Sequence, residues 1–363
     1  MIFTDLTTWS LTHFESVRSF ALPYCPRPNR EEAAHSWLTR VAHGYGLTAD
    51  RLLDHLLRVH DSNFCLERAF VAPHVNVLSK ATRIPRRALS RLQGAPIDWI
   101  LQDRRYCNVC IHCIDSDVQA QQMPFLRVAW RQAWKTNCAV HGTRLLRTEL
   151  NIMHGEDAPK ATAEYHRLRT ISATLESRLD HGLASSLRVL AIIRAIDRIE
   201  IAIDRALDGY DPDRRVWGFI SARDFLVVVR DVTTWALSNF ECFHARPEAE
   251  NLPNGVRIAA DFYFTMMPRR LPPFVSGRSV RTLSNTPEPG LRAAALWMAE
   301  ALLAKQETCT TVDPVAPPAR QWRLLKRKTP TGLYWLHQQM TSWPCKYLDH
   351  QWMDLGSLLS LYH

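Results

Sequence analysis

The chain has 363 residues, a formal net charge of +9 and a pI near 9.2 with Arg far outnumbering Lys, a balance that suits a nucleic-acid partner. Hydrophobic residues make up 46% and there are only 13 glycines, so the chain can build two or three sizeable cores and favours helices over a loop-rich all-β fold. The longest apolar runs, such as Phe225 to Val229, are far too short to span a bilayer, and the Met1–Asp5 start lacks the basic-then-apolar order of a secretory signal.

Residues 1–30 read as an irregular arm packed across the first domain, because Pro23, Pro26 and Pro28 forbid a helix around Tyr24 and Cys25. Glu31 to Val59 reads as two helices about a tight turn. Ala34, Trp37, Leu38 and Val41 form one buried stripe, Gly44-Tyr45-Gly46 breaks it, and Thr48 caps a second helix with Leu52, Leu53, Leu56 and Leu57 inward. The outline is helix-turn-helix. Val75 to Leu92 repeats the theme, with Leu78, Ala81, Leu89 and Leu92 inward, a turn at Arg83-Ile84, and Pro85 opening the next helix. The outer face of this second pair is basic: Lys80, Arg83, Arg86, Arg87 and Arg91. Arg86, Arg87 and Arg91 are candidate contacts to phosphates or to an acidic protein surface.

The stretch that follows carries the densest chemistry. It runs Tyr106-Cys107-Asn108-Val109-Cys110, then 27 residues, then Cys138-Ala139-Val140-His141. C-x2-C followed by C-x2-H is the spacing that aims paired side chains at one tetrahedral ion, and thiolates with imidazole are what zinc prefers. Cys107, Cys110, Cys138 and His141 form two symmetric pairs and are the expected ligands of a closed, structural zinc. Cys113 makes a second x2 step after Cys110 and could replace one of them, with His112 beside it. Met123 to Trp134 reads as a helix packing on the metal site, with Trp130 and Trp134 four apart on one core-facing side. Nine cysteines without a regular framework outside this knuckle point to a reduced, cytoplasmic setting.

After Leu150 a polar segment with Gly155 and Pro159 reads as a linker into a long helical region. Leu187, Leu190, Ile193, Ile196, Ile199 and Ile203 recur at three or four, and Gly209 is a C-terminal stop. Asp224 to Phe240 reads as a helix, although Val227-Val228-Val229 would also suit a strand. Residues 251–289 are rich in Pro and Arg and loop-like. Leu291 to Lys305 is a further helix, and Thr310 to Ala319 a linker. Arg323, Lys326, Arg327 and Lys328 form a last basic stretch, followed by Tyr334, Trp335, Trp343 and Trp352, a second candidate surface for nucleic acid or a partner.

Two separate sets of residues resemble one family. Tyr106-Cys107-x-x-Cys110, Trp130-Arg131 with Trp134, and Cys138-x-x-His141-Gly142-x-x-Leu145 look like the core of TniQ/TnsD proteins, the targeting subunits of bacterial transposons. Glu32-x-x-x-Ser36-Trp37-Leu38-x-Arg40-x-Ala42 resembles the opening of the same proteins. One departure is Asn108, where the family usually has proline. The resemblance implies a non-enzymatic adaptor linking a target-recognition system, either a CRISPR RNA-guided complex or a DNA site, to an AAA+ ATPase regulator and the transposase, with homodimers among relatives. The competing expectation is a zinc-stapled helix-turn-helix transcription regulator. No G-x-x-x-x-G-K-[ST], G-x-G-x-x-G, H-E-x-x-H or G-x-S-x-G pattern occurs, and the pairs Asp115-x-Asp117 and Asp211-x-Asp213 are of a kind common in loops. The expected architecture is mainly α: an arm and helix-turn-helix pairs over 1–100, a zinc-knuckle module over 101–150, and a helical C-terminal domain over 151–363.

Overall fold

The computed structural model of the chain describes residues 21–57, 72–92, 96–102, 106–120, 122–149, 158–180, 183–217, 221–238 and 281–303. The basic stretch with Arg323, Lys326, Arg327 and Lys328, the aromatics after it, and the expected linker at 310–319 lie outside these residues. Almost all regular structure is helical. The described sheet has two strands, β1 (Tyr106–Val109) and β2 (Leu146–Glu149), paired antiparallel with Cys107 opposite Thr148 and Val109 opposite Leu146.

Among the described residues the N-terminal unit has four short helices: α1 (Ala34–His43), α2 (Ala49–Leu57), α3 (Ala72–Thr82) and α4 (Arg86–Ser90). The periodicity of the sequence is realised directly. Trp37, Leu38, Val41, Leu52, Leu53, Leu78, Ala81, Leu89 and Leu92 meet in one core. Gly46 sits at φ 65, a left-handed turn that glycine enters without steric cost, and the Thr48 hydroxyl accepts the Arg51 N–H at 3.3 Å to cap α2. The arm lies across α1, where the Trp37 indole N–H donates to the Pro26 carbonyl at 2.9 Å. Buried Glu32 receives the Arg40 guanidinium on both carboxylate oxygens, at 2.9 and 2.7 Å, and the Asn29 N–H at 2.8 Å. At the second turn Thr82 holds the end of α3 through its hydroxyl to Leu78 O at 2.7 Å, and the chain reverses at Arg83 with φ 58.

This unit meets the knuckle through a strip of backbone pairing. Ala33 N–H donates to Leu126 O at 2.7 Å and Val128 N–H to Glu31 O at 2.8 Å. Past the knuckle come the long helices α7 (Ala158–Asp180), α8 (Leu183–Leu207), α10 (Ala222–Leu237) and α11 (Pro289–Leu303), with the single turn α9 (Arg214–Trp217). Pro159, expected in a linker, sits in the first turn of α7, where its missing N–H costs nothing. The Val227–Val229 run belongs to helix α10, which Ser221 caps through its side chain. Every side chain of α11 from Pro289 to Glu300 is buried, so this helix is an interior pillar against which α8 and α10 pack. No helix among the described residues is long and apolar enough to cross a membrane.

Candidate metal centre

Strand β1 runs straight into helix α5 (Ile111–Gln119), with Cys110 as its N-terminal cap residue and Cys113 in its first turn. The opposing arm is the turn Cys138 to Thr143. It is closed by Gly142 N–H to Cys138 O and Cys138 N–H to Thr143 O, both 2.8 Å, and it requires the left-handed Gly142 at φ 64. The ligand atoms of Cys110, Cys113, Cys138 and His141 all fall within 4.8 Å of one another. His141 Nδ1 lies 3.5 Å from Cys110 Sγ, 3.3 Å from Cys113 Sγ and 3.7 Å from Cys138 Sγ, and the Cys113 and Cys138 sulfurs are 3.6 Å apart. Ligands on arms of ~2.3 Å to sulfur and ~2.0 Å to nitrogen stand about 3.5–3.8 Å apart at tetrahedral corners. The four side chains therefore have the dimensions of a tetrahedral thiolate–imidazole site able to hold a metal ion.

The set differs from the expected one in a single member: Cys113 stands where Cys107 was expected. The reason is local geometry. Three residues of extended strand separate Cys107 from Cys110 by ~10 Å, whereas one helical turn brings positions i and i+3 to about 5–6 Å. The C-x2-C step that straddles the strand-to-helix corner can converge on an ion, and the step along the strand cannot. Cys107 is instead a buried core thiol, pushed up to about 12 by burial against the pull of Arg131. In the cluster, the contacts among the thiols of Cys110, Cys113 and Cys138 draw the Cys138 thiol well down and push the Cys113 thiol up, so Cys138 is the readier of the two to give up its proton.

Helix is shorter here than the sequence implied. Between Met123 and Trp134 only α6 (Val128–Arg131) is helical, and the chain turns extended at Gln132. Trp130 and Trp134 thus enter different cores. Trp130 packs with Cys107, Val109, Leu145 and α7, and Trp134 packs with Trp99 and the C-terminal helices. Arg131 donates to the carbonyls of Leu101 at 3.0 Å and Tyr106 at 3.2 Å, and so fixes the entry to β1.

The arm that delivers Cys138 is held from afar, by residues the sequence reading passed over. Helix α8 places Asp197, Glu200 and Asp204 at i, i+3 and i+7, on one face. Asp204 accepts the Trp134 indole N–H at 2.8 Å and the Lys135 ammonium at 2.5 Å. Glu200 accepts the N–H and hydroxyl of Thr136 at 2.9 and 2.7 Å, and Asp197 accepts the Asn137 amide at 3.2 Å. From α11, buried Arg292 donates to the carbonyls of Ala133 and Lys135, the latter at 3.2 Å. Burial lifts Glu200 to about 7 despite Lys135 and Thr136. The acids interrupting the Ile stripe of α8 were the available signal.

The acid pairs noted in the sequence are engaged elsewhere. Asp117 takes Arg127 on both oxygens at 3.2 and 2.9 Å, and Asp115 accepts the Tyr165 hydroxyl. Asp211 accepts the first N–H of α10 at 2.9 Å, and Asp213 the Arg215 N–H at 2.9 Å. Arg86, Arg87 and Arg91 stand together with Lys80 and Arg83, all exposed and without an ion-pair partner among the described residues, and the segment from Ala72 to Leu92 contains no Asp or Glu. Residues 23–145 match the family model described as TniQ, which spans both helical hairpins and the metal centre. No curated protein and no solved structure matches the chain.

Proposed function

We propose that this chain, a member of the TniQ family through residues 23–145, is a non-enzymatic targeting adaptor of a bacterial transposon. TniQ domains occur in transposon-associated targeting proteins. In this reading the knuckle is a rigid joint closed by structural zinc on Cys110, Cys113, Cys138 and His141. Four protein ligands leave no open position for an activated water, so the metal contributes folding energy and not chemistry.

The observation that carries the reading is the acid-free basic face of the second hairpin. Lys80, Arg83, Arg86, Arg87 and Arg91 suit phosphates or an acidic protein surface. The first hairpin has little with which to read bases: Arg51 stands on α2 beside Asp50 and Asp54. The hairpins therefore serve as a docking platform for the target-recognition complex and the AAA+ regulator, in the cytoplasm, with DNA contact auxiliary. Arg323, Lys326, Arg327 and Lys328 extend the same basic character at the level of sequence.

The test is reconstituted transposition with the cognate ATPase and transposase. Replacing Arg86, Arg87 and Arg91 by alanine together should cut partner recruitment and targeted insertion about ten-fold or more, since several exposed ionic contacts go at once. Zinc content and helicity should not change. Binding to naked DNA should be weak, salt-sensitive and nearly independent of sequence. A single DNA sequence bound in the nanomolar range by the protein alone would reject docking in favour of a zinc-stapled transcription regulator.

A further inference from the structure

Where the end of α8 meets α10, the surface opens into a groove of about 380 Å³. Among the described residues its lining is apolar at Trp99, Ala206, Leu226 and Val227, and has two guanidinium groups, Arg223 and Arg230, and no carboxylate. The small residues create the space. Ala206, Gly209 and Ala222 keep bulk out of the junction of the two helices, and an added Cβ at Gly209, which sits at φ 85, would meet no atom within 4 Å. Arg223 is exposed and has no ion-pair partner among the described residues, and Arg230 has only a 3.5 Å approach to neighbouring Asp231. Of the acids that flank the lining in sequence, Asp211 accepts the first N–H of α10 and Asp224 accepts the Ser221 hydroxyl, while Asp98 and Asp208 are exposed beside Trp99 and Gly209.

We propose that this groove docks a short extended peptide of a partner protein, bearing one apolar side chain between two acidic ones. Each feature of that peptide follows from the groove. An apolar floor large enough for one or two side chains takes the anchor. Arg223 and Arg230 are seven residues apart on one helix, so they stand about 10.5 Å apart along the groove at 1.5 Å per residue. An extended chain covers that distance in roughly three to four residues. The acids therefore flank the anchor at a spacing of three or four, and each meets a guanidinium that can take a carboxylate on two N–H groups. The surface is distinct from the basic hairpin, so its occupancy does not depend on what the hairpin binds.

The experiment uses the full-length zinc-loaded protein and fluorescein-labelled heptapeptides carrying Glu-Leu-Ser-Glu or Glu-Leu-Ser-Ser-Glu between serines, read by fluorescence anisotropy. Saturable binding that weakens with salt is expected for at least one spacing. Changing both glutamates to glutamine, or the leucine to serine, should weaken it about five-fold or more. Arg223→Glu and Arg230→Glu should each weaken it by a similar factor. Both sites are on the surface, and unchanged zinc content and circular dichroism establish that the variants are folded. Leu226→Glu should abolish binding. Absence of saturable binding by either peptide, equal affinity for the glutamine versions, or indifference to both arginine reversals would each overturn the proposal.

Discussion

The two halves of the region that matches the TniQ model hold themselves together by different means. The hairpin unit buries Trp37, Leu38, Leu52, Leu78 and Leu89 against one another, all drawn from within 22–92. The knuckle, the shorter of the two, has a cluster able to hold a metal ion and takes charges that arrive from Asp197, Glu200, Asp204 and Arg292. A unit built from its own apolar stripe is stable by local pattern. The knuckle buries Val109, Ile114, Trp130 and Leu145 but adds cross-links to them, a cluster of thiols with an imidazole and a ladder of carboxylates from α8 of which Glu200 is buried.

The contrast is broken most severely at the cluster. Cys113→Ser should abolish metal binding and unfold the knuckle, since a structural zinc is worth on the order of 10 kcal/mol of folding energy. Cys107→Ser should keep the metal and cost only about 1–3 kcal/mol for burying a hydroxyl. Elemental analysis and melting of the two variants separate these outcomes, and equal metal loss in both would return Cys107 to the ligand set.

Next in size is the other half. Trp37→Ala should cost about 3–5 kcal/mol, the usual loss for emptying a buried indole site. Hydrogen exchange should rise across α1 to α4 while the metal stays bound. Metal release in this variant would mean that the two units do not stand apart energetically.

Glu200→Ala removes the acceptor for both Thr136 donors and should cost about 2–4 kcal/mol, because two buried donors lose their partner. It should also speed zinc transfer to a chelator, although it touches no ligand. The charge on the same residue gives a smaller effect. A carboxyl held near 7 when folded and near its ordinary 4.5 when unfolded binds more protons in the folded state between those values. Stability from this group is therefore greatest at low pH and falls as pH rises through that window. Relative to Glu200→Gln, the natural protein should lose roughly 1–3 kcal/mol between pH 5.5 and 7.5 and nothing further above it. Chemical denaturation of the pair across that range measures the difference, and a flat difference would show that Glu200 stays charged throughout. The smallest change comes from Arg86, Arg87 and Arg91, each worth under about 0.5 kcal/mol to stability as an exposed side chain.

What could be read from the sequence follows the same division. The hairpins were legible almost residue by residue, because a helical stripe closed by Gly46 and capped by Thr48 is local information. The metal arm at Cys138 and His141 was legible for the same reason, its turn being fixed by Gly142. Cys107 and Cys113 were not separable by counting, since each is two residues removed from Cys110. The choice depends on where strand yields to helix. Likewise Trp130 and Trp134 have helical spacing, but the helix ends between them. The α8 ladder and Arg292 were invisible as partners of the knuckle because sixty or more positions of chain separate each from the residue it holds.

The position of Arg292 also sets an order of events during synthesis. Lys135 leaves the ribosome 157 residues before the side chain that will hold its carbonyl. At about 5–20 residues per second that interval is roughly 8–30 s. For that time Cys110, Cys113, Cys138 and His141 are all present while the pillar α11 is not yet made. If the cluster holds zinc as proposed, the ion has that interval in which to bind before α11 arrives to close the C-terminal core against α8 and α10.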